Sequence, residues 1–235
     1  MSGTLQIVRY ELAPPGRPAH SFVIALDPAT YELRNDPPHD PPDWTALSFE
    51  QCAECPLDAK RHAHCPAALH LAPVIAEWAD VVSYDSVDVR VQTAERTVSA
   101  TVPAQQALAS LVGLLLATSG CPRTAVFRPM ARFHLPFATE TETAYRAAAM
   151  YLVAQYFGAR SGRSPDLDLA GLGQLYESLH QVNRGLARRL RAAVRQDAVV
   201  NAVVLLGIYT SLLPEALDEL LEEIRPAFSA LLPPG

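Results

Sequence analysis

The hydrophobic positions of the chain follow two different periods. In several segments of roughly the first hundred residues, apolar side chains recur at every second position, as at Val8, Tyr10 and Leu12. Such alternation is typical of strands that have one covered face. It predicts strands over 6–12 and 21–26, a short third strand within 27–34, and a hairpin over 83–102.

From Pro103 onward the apolar period lengthens to three or four residues, which predicts helices. The first helix has a proline in its first turn and ends at Gly120, a residue suited to a left-handed cap. Thr139 and Glu142 have the spacing of a capping box before the next helix. The remaining helices are predicted over 168–195, 197–213 and, opened by Pro214, 214–228.

This order of elements predicts an α+β fold, in which a small antiparallel sheet is followed by a helical bundle. We expect residues 1–102 to form a small antiparallel β domain with a cysteine-rich insertion, and residues 103–235 to form a helical domain. The two are expected to pack as one unit and to meet at a cysteine-rich metal site.

Composition and charge limit the classes of protein to which the chain could belong. Hydrophobic residues make up 49% of the chain and charged residues 19%, which is enough apolar material for a core. The net charge of -6 argues against a nucleic-acid partner, because such surfaces are normally basic. There is no signal-peptide pattern, and the apolar runs fall short of the roughly 18 residues that span a membrane. A cytoplasmic protein without a membrane partner is therefore expected, in a compartment where disulfides are rare.

The four cysteines carry the most specific signal. Cys52, Cys55 and Cys65 lie within fourteen residues, and Cys121 follows the predicted helix that ends at Gly120. A Cys-x2-Cys turn points two sulfurs at one ion, and four thiolates complete a tetrahedral zinc site. The sequence thus predicts a structural four-cysteine zinc centre with no open position for catalysis.

Other interpretations of the cysteines stay open. Three of them precede proline, as in iron–sulfur ligand runs, so a 4Fe-4S cluster in an electron carrier or redox sensor is the second interpretation. His62 or His64 could replace one thiolate, because imidazole also suits zinc. Buried free thiols, or two disulfides in an exported protein, are the remaining alternatives.

A second candidate site lies between Cys121 and Thr139. Arg128, Arg132 and His134 occupy a proline-interrupted stretch, and forked guanidiniums suit carboxylate or phosphate. An enzyme acting on an anionic small molecule is the hypothesis that this stretch supports. We favour a structural role, with the arginines paired to Glu140, Glu142 or the acidic last helix, and a binding or regulatory protein over an enzyme. A protein partner and a small anion both stay open, and no oligomeric state is predicted.

Three segments carry a resemblance to a known family. They are "QCAECPLDAKRHAHCPAAL", "SGCPRTAVFRPMARFHLPF" and "ETAYRAAAMYLVAQYF". Together they resemble a family of uncharacterised bacterial proteins, a domain of unknown function with Cys-x2-Cys-Pro-Leu, Cys-Pro-x-Ala-Leu and Ser-Gly-Cys-Pro segments. The resemblance extends over about residues 5 to 230. It implies that the four cysteines form one set, and it brings no activity with it.

Overall fold

The computed structural model of the protein describes residues 3–78, 81–193 and 197–232. It contains a four-stranded antiparallel sheet and six α-helices, which confirms the predicted α+β class. The chain forms two compact units. The first comprises Met1–Phe137 and Gln181–Gly207, and the second comprises Ala138–His180 and Ile208–Gly235. The predicted boundary between residues 102 and 103 lies inside the first unit.

The sheet belongs to the first unit and has the strand order β2-β1-β3-β4. Its strands are β1 (Gln6–Ala13), β2 (His20–Leu26), β3 (Ser86–Gln92) and β4 (Thr97–Pro103). The two predicted N-terminal strands and the predicted hairpin are thus confirmed. The short third strand predicted within 27–34 is wrong. A single bridge from Leu33 to Leu26 forms in its place, because the chain turns away after a few residues.

Alternation buries one face of the sheet, as the sequence predicts. Val8, Tyr10 and Leu12 of β1 are at most 1% exposed. Helix α2 (Ala104–Thr118) contacts β3 and β4, and it also contacts helix α1 (Pro66–Glu77). Most of α2 is buried, since it carries leucine, valine and alanine on nearly every side. It is the central helix of the first unit.

The stretch after α2 contains helical turns that the sequence analysis did not predict. A 3-10 turn at Ala125–Phe127 leads into helix α3 (Arg128–Arg132). Pro129 stands in the first turn of α3, where a backbone N–H would have no partner in any case. The prolines therefore interrupt the helix without preventing a short one.

Three long helices complete the chain. Helix α4 (Glu140–Arg160) begins with the predicted capping box, in which Thr139 and Glu142 each bond the other's backbone N–H. Helix α5 (Ala170–Ala193) matches the prediction for 168–195, whose last two residues lie outside the described ranges. Helix α6 (Asp197–Ile224) is continuous through Pro214, so the prediction of a new helix at this proline is wrong. Buried Leu213 and Leu217 lie beside Pro214, and their packing offsets the backbone hydrogen bond that proline cannot donate.

The continuity of α6 also corrects the expectation that no apolar stretch is long enough to span a membrane. Residues Ala198–Phe228 are long and apolar enough to cross a membrane, and their most apolar stretch has a mean hydropathy of 1.6. Of that stretch, 39% is buried inside the protein. A helix of a soluble protein meets the same criteria, so the fold is compatible with solubility, and the cytoplasmic location stays a prediction.

Two glycines of the first unit allow a matched test of the α2 cap. Gly120 has a φ of +86°, where any other residue is strained, whereas Gly113 lies inside α2 with its nearest neighbour at an ordinary 3.8 Å from an added Cβ. We expect Gly120→Ala to lower the free energy of unfolding by about 1 kcal/mol. Gly113→Ala should leave it unchanged or raise it by up to about 1 kcal/mol. Urea unfolding measures both, and equal effects would contradict the left-handed cap.

Candidate functional site

The cysteine-rich loop is closed by a short pairing at its base. The N–H of Leu47 donates to the carbonyl of Ala63 at 2.9 Å, and the N–H of Cys65 donates to the carbonyl of Thr45 at 2.8 Å. Cys65 is extended and is the residue before the first turn of α1, where Pro66 follows. The base of the loop therefore places one thiol at a helix N-terminus.

The Cys-x2-Cys segment is a tight turn held by a distant arginine. The N–H of Cys55 donates to the carbonyl of Cys52 at 3.0 Å, which closes the turn. Arg123 donates from Nε and Nη2 to the carbonyl of Glu54, inside this turn, at 3.0 and 2.9 Å. Because Arg123 is two residues after Cys121, this contact brings the fourth cysteine's segment to the Cys52–Cys55 turn.

The Cys121 segment also lies against the start of α1. A Cβ placed on Gly120 would stand 3.9 Å from the Cβ of Pro66, the neighbour of Cys65. The carbonyl of Cys121 accepts from the N–H groups of Thr124 and Ala125 at 3.2 and 3.1 Å, so its backbone is ordered by a turn. Residues far apart in sequence thus meet around the four cysteines.

The four thiols are free and half-buried. Burial raises the pKa of Cys52 to about 11, and the thiols of Cys65, Cys121 and Cys55 each add to the rise. Burial also raises the pKa of Cys65. The first-turn amides of α1 oppose that rise, although Cys65 forms no full capping hydrogen bond. The raised pKa values keep the thiols of Cys52 and Cys65 protonated at neutral pH as long as nothing displaces their protons.

Within the described residues, no group of three or more His, Cys, Asp or Glu side chains has an arrangement that would hold a metal ion. The thiols lie near one another, but they do not surround a common point as metal ligands would. The four-cysteine zinc centre, and the junction it would make between sheet and helices, therefore stay predictions.

Arg189 is a neighbour of these thiols that the sequence analysis missed. This residue of α5 is 1% exposed, and its Nη1 donates to the carbonyls of Trp44 and Ala46, each at 2.6 Å. Its Nη2 lies 3.3 Å from the carbonyl of Leu47. No carboxylate forms an ion pair with it among the residues that the structure describes. Its charge instead lowers the pKa of Cys52 and of Cys65.

One sequence signal could have found Arg189. It stands seven residues after Val182 and three after Leu186, on the apolar stripe of α5. An arginine on such a stripe is either at the edge of the buried face or inside it with partners. Arg189 is buried because it finds the carbonyls of residues 44, 46 and 47 as partners. The sequence near Arg189 does not show that these distant carbonyls will be its partners.

Gly185 lies one turn before Arg189 and touches Cys52. A Cβ at this position would stand 2.6 Å from the Cys52 sulfur, closer than real contacts allow, and 3.3 Å from the Cys52 Cβ. The backbone of α5 therefore packs directly on the first cysteine. Only glycine leaves room for that approach.

The two histidines of the loop each use Nδ1 in a hydrogen bond to an oxygen atom of the protein. His64 places Nδ1 2.8 Å from the Thr45 hydroxyl, which itself donates to the carbonyl of Pro42 at 2.7 Å. The hydroxyl proton is thus used, and Nδ1 of His64 is the donor to Thr45. Exposed His62 has Nδ1 3.4 Å from the carbonyl of Asp58. Both Nδ1 atoms are thus engaged with oxygens of the loop.

In the second candidate site, both arginines face carboxylates. Arg128 pairs with Glu32 at 2.7 Å and Arg132 approaches Glu95 at 4.0 Å, and their side chains are 22% and 34% exposed. The Arg132 guanidinium also lies 5.8 Å from the ring of Tyr31. These partners come from the sheet region and not from Glu140, Glu142 or the last helix.

His134 joins its loop to the sheet. Its Nε2 is hydrogen-bonded to the hydroxyl of Tyr10, which also lies 2.8 Å from Oγ of Ser110. Burial raises the pKa of Tyr10, so the phenol stays neutral at physiological pH. The contact ties β1 and α2 to the loop after α3.

The comparisons with known proteins bear on this arrangement. A family model described as a domain of unknown function (DUF6901) matches residues 8–229. The chain belongs to this family. Its matched span includes all four cysteines, Arg189 and the arginine stretch, and the family description states no activity. No curated protein and no solved structure matches the chain.

Replacing Arg189 tests whether the guanidinium holds the base of the cysteine loop. We expect Arg189→Met to lower the free energy of unfolding by about 2–4 kcal/mol, because three carbonyls lose their donors in a buried place. Arg188→Met is the matched control, since Arg188 is exposed on the same helix, and it should change stability by less than about 0.5 kcal/mol. Urea unfolding of both variants measures the difference. Equal losses would contradict the assigned role.

The raised pKa of Cys52 predicts a loss of stability in alkali. The folded thiol titrates near 11 and its ordinary value is 9.0, so the unfolded chain loses this proton first as the pH rises. The contribution of Cys52 to stability is therefore complete below pH 9 and is lost as the pH rises toward 11. Unfolding of the reduced, chelator-treated protein at about pH 8 and pH 10 measures it. Cys52→Ser should show a smaller loss, and an equal loss would contradict the prediction.

Proposed function

We propose that Cys52, Cys55, Cys65 and Cys121 bind one zinc ion, and that this ion stabilises the first compact unit. The protein is then a metal-stabilised binding or regulatory protein, and the four thiolates leave no position on zinc for a substrate. The observation that carries the proposal is the buried Arg189 charge beside the cysteines, with no carboxylate partner among the described residues.

The charge balance supports this assignment. A buried guanidinium keeps its proton under all ordinary conditions and needs a counter-charge or many hydrogen bonds. Arg189 has backbone carbonyls, which supply only partial negative charge. Zinc with four thiolates carries two net negative charges, and a neutral thiol carries none. Metal binding would thus supply the counter-charge that no acid among the described residues provides here.

The positions of the cysteines also suit a closed site. Two of them share a tight turn, Cys65 precedes a helix whose first amides favour a thiolate, and Cys121 follows a helix end. Each lies where the backbone leaves regular structure, at a turn or at the end of a helix. The ion would draw together thiols that already act on one another.

A zinc titration with two variants tests the proposal. Metal-free, reduced protein should bind one zinc per chain and gain thermal stability, since the ion binds the folded state. Cys121→Ser should weaken zinc binding on the order of a hundredfold or more, because it removes a ligand. His62→Ala is the matched control from the same exposed loop and should leave the affinity unchanged.

Three results would overturn the zinc assignment. They are a chain that binds no zinc, a Cys121→Ser variant with unchanged affinity, and a brown protein that contains iron and sulfide after anaerobic purification. The last would assign the same cysteines to an iron–sulfur cluster.

A further inference from the structure

The two edge strands of the sheet differ in whether other residues cover their outer edge. Residues beyond β2 cover its outer edge, since Asn35 accepts from the N–H of Ala25 at 2.8 Å and donates to the carbonyl of Val23 at 2.6 Å. The N–H of Arg34 also donates to the carbonyl of Ala25, at 2.8 Å. In the described part of the chain, no strand or capping segment pairs with the outer edge of β4.

The hydrogen-bonding phase of β4 follows from its hairpin. The N–H of Thr93 donates to the carbonyl of Arg96 at 2.9 Å across the turn. Antiparallel pairs alternate between bonded and non-bonded, so in the observed register the bonded residues of β4 are Val98, Ala100 and Val102. The backbone groups of Thr97, Ser99 and Thr101 therefore point away from β3, and all three residues are exposed.

The composition of this edge leaves it unprotected. Between Thr97 and Val102 the strand contains no charged residue and no proline, and four of its six residues are β-branched. Natural edge strands normally carry a lysine, an inward charge, a bulge or a proline that prevents further pairing. The chain covers β2 and leaves β4 with none of these features before Pro103.

We infer that β4 pairs with β4 of a second copy of this chain, antiparallel and about a two-fold axis at Ala100. This register places Ser99 opposite Thr101 of the copy, where the outward backbone groups meet as a bonded pair. Val98 then faces Val102 of the copy on the buried side of the sheet. The two sheets become one sheet of eight strands, twice the four observed.

The strand is complementary to its own copy in three respects. Donors meet acceptors at the two Ser99–Thr101 pairs, apolar side chains stay on one face and hydroxyls on the other, and no like charges oppose each other although each chain carries a net charge of -6. A shift by one residue would place valine opposite threonine and mix the two faces. This self-complementarity favours a second copy over an unrelated peptide.

Two double variants of the full chain test the pairing. Position 99 lies opposite Arg90, and position 101 lies opposite Asp88, within the same sheet. Ser99→Glu with Thr101→Lys places opposite charges across the proposed axis and beside those two residues. Ser99→Lys with Thr101→Lys places like charges across the axis. Sedimentation equilibrium from about 1 to 100 µM, with circular dichroism to confirm folding, compares both variants with the unaltered protein.

We expect the unaltered protein and the Glu/Lys variant to reach twice the 25.5 kDa chain mass. The Lys/Lys variant should have a dimer Kd raised at least roughly tenfold. A monomeric unaltered protein, or a dimer equally strong in both variants, would overturn the inference. Loss of the dimer in the Glu/Lys variant as well would overturn the proposed register.

Discussion

The buried guanidinium of Arg189 is the contact on which the cysteine region depends. Its donors end on carbonyls of residues 44, 46 and 47. The same short segment pairs with residues 63–65 and so fixes the base of the loop that carries Cys65. One charged side chain from α5 thereby orders a stretch about 140 residues earlier in the chain. Because an arginine cannot shed its charge, this arrangement persists at any pH at which the protein folds.

A permanent positive charge constrains the chemistry that can occur beside it. Burial favours neutral thiols and raises their pKa, whereas Arg189 favours thiolates and lowers it. Burial has the larger effect on both Cys52 and Cys65, so the protein alone leaves them protonated. A divalent cation reverses that balance, since a coordinating thiol is deprotonated outright. The zinc ion that we propose would therefore convert these thiols to thiolates and place negative charge beside Arg189.

Features encoded by local sequence were the ones that could be predicted. Alternation gave the four strands, and the spacing of Thr139 and Glu142 gave the capping box, because both depend on neighbours within a few residues. Pro214 misled the prediction because packing of Leu213 and Leu217 outweighs one lost hydrogen bond. Arg189 was missed for a related reason. Its surroundings are set by carbonyls about 140 residues away, and only the folded chain brings them together.

Contacts between residues far apart in sequence also stabilise the first unit. Its residues come from two stretches, Met1–Phe137 and Gln181–Gly207, so its core and the cysteine loop need a segment that is synthesised late. Closing so long a loop costs entropy, but that cost grows only slowly with length. The hydrogen bonds of Arg189 and the close packing of Gly185 on Cys52 are contacts that offset this cost. An ion bound by cysteines from both ends of the 52–121 stretch would add a cross-link where the late segment docks.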